Sequence, residues 1–140
     1  MYDAVVAGGS ISGLLAAREI AKNGHSVLVL EEGFEVGSPE HCGGLVSENA
    51  LKELGIEPSP KTFDSKVECA KIFSPEGKEI TINSKRQKII VINRRELDKQ
   101  AARQARDNGA EISVKTSFQE KNDNIIRTSN GNIECKFFVD

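Results

Sequence analysis

The stretch Val5 to Ala17, VVAGGSISGLLAA, places Gly8 and Gly13 at the first and third positions of a G-x-G-x-x-G spacing, with Ser10 in the middle. Between a strand and a helix, that spacing cradles the pyrophosphate of a dinucleotide. The first glycine makes the tight turn, the third lets the helix pack closely on the sheet, and the N–H groups and dipole of the helix start attract phosphate. The middle glycine ordinarily keeps a Cβ out of the phosphates' path. A serine adds one small group, whose hydroxyl can itself donate to a phosphate oxygen. Ser10 is therefore expected to be tolerated and to bind. Glu31 stands 18 residues after Gly13, where a carboxylate accepts both hydroxyls of an adenosine ribose and disfavours a 2′-phosphate. Its neighbour Glu32 is the alternative holder of that role, and NADP is the dinucleotide this acid suits least.

These residues need elements to position them, and the local pattern supplies them. Tyr2 to Ala7 is a short apolar run that reads as a buried strand, punctuated by Gly8 and Gly9. From Ile11 to Lys22 the apolar residues Ile11, Leu14, Leu15, Ala17 and Ile20 recur at helical spacing, and Asn23-Gly24 ends the helix. SVLVLEEG is a second strand ending in acid. Strand, helix and strand in about thirty residues make a βαβ unit, with a parallel sheet covered on both faces. EVGSPEHCGG is loop by composition, and LVSENALKELGI predicts a short helix with Ser47 as its N-cap and Gly55 closing it. Pro58 and Pro60 open a linker. VECAKIFSPEGKEITINS reads as a hairpin about Ser74–Gly77, and KIIVIN as a strand. A helix follows from Arg95 to Asp107, with Arg103 and Arg106 on its solvated face. AEISVKTSF reads as one strand; turns around Asn122–Asn124 and Asn130-Gly131 separate two more, and KFFVD is apolar to its tip. The fold class is α/β, a Rossmann-like βαβ sheet with an inserted β-hairpin or meander, over one domain, 1–140.

Composition sets the outer bounds. The 140 residues are 38% hydrophobic and 29% charged with a formal net charge of −2, which offers no electrostatic reason to bind nucleic acid or an anionic membrane. No apolar run approaches the ~20 residues a membrane span requires. Three cysteines, Cys42, Cys69 and Cys135, have no repeated spacing, so a disulfide framework is not expected and the setting reads as reducing and cytoplasmic. Cys69 and Cys135 lie in strand patterns and read as packing residues, and His25 as a surface residue in a turn. His41 and Cys42 are adjacent, but no second pair stands at ligand spacing, so no metal is expected.

Three blocks in order, YDAVVAGGSISGLLAAREIAKNGHSVLVLEE, GSPEHCGGLVSENALKELGI and INRRELDKQAARQARDNGAEI, resemble the geranylgeranyl reductase family, flavoproteins related to the p-hydroxybenzoate hydroxylase group. The likeness runs over nearly all of Tyr2 to Asp140, and Cys42-Gly43-Gly44 is its most discriminating piece. The resemblance implies FAD rather than NAD at the fingerprint. It also implies reduction of isolated double bonds in polyprenyl chains, which in archaea belong to geranylgeranyl ether lipids. By position, Gly8, Gly9, Ser10 and Gly13 would surround the pyrophosphate and Glu31 the ribose. Cys42, Gly43 and Gly44 would lie near the flavin ring, with Cys42 as candidate proton donor to the alkene. Arg94, which opens an R-x-x-L-D run, would reach the phosphate and ribitol region, with Arg95 as the adjacent alternative. Phe118 falls where the family sets backbone groups against adenine.

The resemblance further implies partners: a polyprenyl lipid, and an electron donor that is NAD(P)H or ferredoxin, with peripheral membrane association of the longer protein. Family members continue with a second flavin motif after a strand like KFFVD and then a substrate-binding half, so this chain is expected to be the N-terminal part. Three rivals stay open on sequence: a flavin monooxygenase domain, a non-catalytic dinucleotide-binding module, and an NAD-dependent dehydrogenase domain. The last is disfavoured by the hairpin and by Arg94.

Overall fold

The structure is a computed structural model and describes residues 1–38, 42–83 and 88–140. In chain order the elements are β1 (Tyr2–Ala7), α1 (Ile11–Lys22), β2 (Val27–Leu30), β3 (Leu45–Ser47), α2 (Glu48–Glu53), β4 (Phe63–Val67), β5 (Cys69–Phe73) and β6 (Glu79–Asn83). There follow β7 (Ile89–Ile92), α3 (Arg94–Asp107), β8 (Glu111–Ser113), β9 (Phe118–Asn122), β10 (Ile125–Thr128) and β11 (Gly131–Val139). They form two compact units: residues 1–40 with 95–140, and residues 41–94.

The first unit is a six-stranded sheet in the order β8-β2-β1-β11-β10-β9. β8, β2, β1 and β11 run parallel, and β11, β10 and β9 form an antiparallel meander. Val27–Leu30 is buried at every position because the parallel part is covered on both faces. On one face Ala4, Val6, Val27 and Val29 meet Leu14, Ala17 and Ala21 of α1 and the alanines Ala101, Ala102 and Ala105 of α3. On the other, Val5, Leu28 and Leu30 cluster with Ile126 and Cys135 of the meander. Gly24, at φ +83°, follows the end of α1, as the Asn-Gly pair predicts.

The second unit holds an antiparallel sheet in the order β3-β7-β4. Leu51, Ile56, Ile90 and Ile92 are its buried apolar residues, with Thr62 fully buried among its polar ones. β5 and β6 pair as a separate hairpin about Ser74–Gly77, as expected. Its register puts Ala70, Ile72, Ile80 and Ile82 on one face, and every strand residue is exposed.

Two boundaries differ from the sequence reading. Leu45–Ser47, given no strand by the sequence reading, is drawn into a ladder with Ile89–Val91, and α2 starts at Glu48 behind the expected N-cap Ser47, whose side chain accepts from the Ala50 N–H. AEISVKTSF, expected as one strand, stops at Ser113, and Lys115 adopts a left-handed φ of +54°. The cause is long-range. The N–H groups of Lys115 and Thr116 donate to the carbonyls of Gly33 and Glu31 at 2.8 and 2.9 Å, which pulls the backbone out of the ladder. Among the described residues no helix is long and apolar enough to cross a membrane.

Candidate functional site

From β1 the chain crosses over to β2 on one side, while β11 lies on the other. That divergence makes a crevice beyond the carboxyl ends of the central strands, where open α/β sheets bind ligands. A cavity of about 270 Å³ occupies this place, lined by Ala7 and Gly8, by Leu30, Glu31 and Glu32, by Thr116–Phe118, and by Asp140.

At its base, the turn after β1 is built for close approach. Gly8 takes φ +97°, which L side chains rarely adopt, and its N–H donates to Leu30 O at 2.8 Å. A Cβ on Gly13 would lie 2.1 Å from Gly8 O, so the helix start sits on the turn with no room for a side chain. Ser10 is the extended N-cap residue of α1. Its carbonyl accepts the first helical bond from Leu14 at 2.9 Å, and its exposed hydroxyl makes no cap bond and sits 3.3 Å from Ser12 Oγ. The first turn of α1 contains no acidic residue, so the positive end of the helix dipole keeps its affinity for an anion.

Glu31 does more than its spacing announced. Its Oε2 accepts the Gly9 N–H at 2.9 Å and its Oε1 accepts the Gly33 N–H at 2.7 Å. A Cβ on Gly9 would come within 2.8 Å of Oε2, so this second glycine, expected beside the pyrophosphate, also makes room for the carboxylate. Each carboxylate oxygen carries two lone pairs, so one on each remains for a ribose hydroxyl. Glu31, Glu32 and Asp140 together give the cavity a lining of carboxyl groups. Such a lining suits hydroxyl donors and repels a 2′-phosphate.

On the opposite wall Phe118 was expected, but Thr116 beside it was not legible as a site residue. Thr116 is buried, and its hydroxyl accepts from Asn130 Nδ2 at 2.8 Å and donates to Val114 O at 3.1 Å. This knot fixes the residues before Phe118, whose ring rests on Phe138 with centroids 4.7 Å apart. No sequence signal marks Thr116, since it stands among other small polar residues.

Gly8, Gly9, Ser10, Gly13, Glu31, Glu32 and Phe118 thus belong to the first unit, whereas Cys42, Gly43, Gly44 and Arg94 belong to the second. Cys42 is exposed. A Cβ on Gly43 would meet nothing within 4 Å, but one on Gly44, at φ +74°, would lie 2.2 Å from Ile92 O. Gly44 is therefore required by its own unit, where Ile92 donates to its carbonyl at 2.9 Å. Arg94 is the half-buried first residue of α3. Arg95, the alternative to it, is committed to an ion pair with Glu35. Lys99 holds the other oxygen of Glu35 at 3.0 Å, and the two cations, Lys99 foremost, keep this carboxyl below the usual range. His41 lies outside the described residues. Among the described residues no group of His, Cys, Asp and Glu could hold a metal ion.

Residues 6–68 match a protein-family profile described as an NAD(P)-binding Rossmann-like domain. A digeranylgeranylglycerophospholipid reductase of Methanocella arvoryzae is 36% identical over 118 residues, covering 82% of this chain and 30% of that protein. A solved geranylgeranyl bacteriochlorophyll reductase-like protein from Thermoplasma acidophilum superposes with a TM-score of 0.85 at 31% identity, over 98% of this chain and 38% of that one. A 2-methyl-3-hydroxypyridine-5-carboxylic acid oxygenase shares the fold alone, with a TM-score of 0.73 at 20% identity over 96% of this chain and 38% of that one. The chain spans about a third of the length of the relatives it matches.

Proposed function

The chain shares its sequence and its fold with the geranylgeranyl reductase family, and from that kinship we propose that it is the FAD-binding part of a reductase of polyprenyl lipid double bonds. The observation that carries the cofactor reading is the cavity at the carboxyl ends of β1, β2 and β11, where a glycine turn and a ribose-ready carboxylate converge. The residues fit the cofactor. Gly13 leaves no Cβ between turn and helix, the open space at Gly8 admits a phosphate, and the first turn of α1 carries no competing anion.

In this reading Gly8, Gly9, Ser10 and Gly13 take the pyrophosphate and Glu31 takes the ribose, with Glu32 beside it. The backbone about Phe118 meets the adenine. Arg94 reaches the phosphate and ribitol region, and Gly43 and Gly44 let the backbone approach the flavin ring. Bound there and reduced by the electron donor, the flavin would supply hydride for reduction of an alkene. The protein's part is to orient the substrate, exclude water and protonate the second alkene carbon, and Cys42 Sγ is the proposed proton source. The lipid substrate and the electron donor, NAD(P)H or ferredoxin, are engaged by the whole enzyme.

The visible spectrum of the purified chain, with and without added FAD, tests the cofactor. A yellow protein that loses its flavin in Gly13→Ala is expected. A chain that stays colourless with FAD but binds NAD would overturn the reading. For the activity, Cys42→Ser in the whole protein should keep flavin and slow reduction of a geranylgeranyl glycerophospholipid by about a hundredfold or more, the low end of a general-acid contribution.

A further inference from the structure

On the helical side of the first unit, a second concavity of about 280 Å³ lies between the segment after β2 and α3. Phe34, Val36, Ala102 and Val114 give it apolar walls, and Lys99, Arg103 and Arg106 bring three cations to it. Those cations stand four and then three residues apart, on one stripe of α3, where like charges weaken a helix. The carboxylate that shares the concavity, Glu35, is already held by Arg95 and Lys99. Among the described residues neither Arg103 nor Arg106 makes an ion pair. Phe34 is 65% exposed although it stands beside an apolar floor that could bury it. A repulsive stripe of cations and an uncovered aromatic ring share one hollow, and a single ligand would relieve both.

We propose that this concavity is a second ligand site, one that takes an organic phosphate. The guanidinium groups of Arg103 and Arg106 present planar forks of N–H donors to the phosphate oxygens. Phe34, Val36 and Val114 take the carbon-bearing part. A phosphorylated nucleotide and a glycerophospholipid headgroup both offer this chemistry. These two hollows thereby divide the chemistry between them: the carboxylate-lined cavity accepts hydroxyls and turns a phosphomonoester away, and the concavity on α3 accepts it. This site does not depend on the identity of the cofactor in the first cavity.

Calorimetric titration of the whole chain, saturated with FAD, tests the site with three probes: inorganic pyrophosphate, 2′-phospho-ADP-ribose and glycerol 1-phosphate. One of the two organic phosphates should bind, and which one does so identifies the source. Arg103→Gln with Arg106→Gln should weaken that binding by about tenfold or more, the range of lost hydrogen bonds to a charged group. Phe34→Ala should weaken the organic phosphate and leave pyrophosphate unchanged. The flavin spectrum of each variant should match the parent's, which separates this site from the first. No binding by either organic phosphate, binding indifferent to the double substitution, or pyrophosphate binding as tightly as both would overturn the proposal. If the chain holds no FAD at all, the same titration in its absence still decides the matter.

Discussion

Each oxygen of Glu31 receives one backbone N–H, from Gly9 and from Gly33, and keeps one lone pair for a ligand. The residue therefore fastens the glycine turn to the tip of β2 as well as offering acceptors to the cavity. Glu31→Gln keeps the shape but leaves one acceptor where there were two, and it removes the charge that strengthens both bonds. The expected outcome is a loss of about 1–2 kcal/mol in denaturant-measured stability, the lower part of the range for a buried unmet donor because the site is half-exposed. Nucleotide affinity should fall with it, and a variant of unchanged stability would show that the backbone bonds are incidental. The 18-residue spacing made Glu31 legible as a site residue. Its fastening role was not, because that depends on where two distant N–H groups point. Gly44 shows the same limit: the resemblance sets it near the flavin ring, but what requires a glycine within its own unit is the Ile92 carbonyl, 2.2 Å from where a Cβ would stand.

At the scale of the element, the helices were the most legible. α1 and α3 show apolar residues at helical spacing, and Asn-Gly pairs mark their ends, so local chemistry alone bounds them. The connection between β8 and β9 was not. Its alternation of apolar and polar residues is a genuine strand pattern, and no glycine or proline breaks it. What breaks it is the bonding of Lys115 and Thr116 to the carbonyls of Gly33 and Glu31, partners about eighty residues away in the chain. Thr116 is the knot of that connection. Thr116→Val keeps the volume but removes one of the two acceptors of Asn130 Nδ2 and the hydroxyl's own bond to Val114 O. Stability should drop by about 1–3 kcal/mol, and hydrogen exchange of residues 114–118 should quicken more than that of β1. Equal protection in both would dissociate the knot from the wall of the cavity.

Over the whole first unit, the amino ends of β1 and β2 and the middle of β11 are joined by one carboxylate. Asp3 accepts Lys136 Nζ at 2.7 Å, and both the N–H and the hydroxyl of Ser26. The lysine foremost, then the serine, hold its carboxyl well below the usual range. A carboxyl depressed in the folded state contributes stability above its unfolded pKa of about 3.9, and that contribution fades as pH falls toward the folded value. Glu35 and Glu48 are depressed in the same sense by their lysines. The unfolding midpoint should therefore hold level from neutral pH to about 5 and decline below about 4, with a shallower decline in Asp3→Asn and in high salt. An equal acid limb in Asp3→Asn would remove this residue from the account. The same junction has a consequence in time. β1 sits at the centre of the sheet, yet its partner on one side, β11, is 133 residues further along the chain. At ~5–20 residues per second a ribosome needs roughly 7–27 s to supply that partner. Through that interval the central strand waits with one edge unpaired, and a chaperone that shields strand edges would have its longest opportunity there.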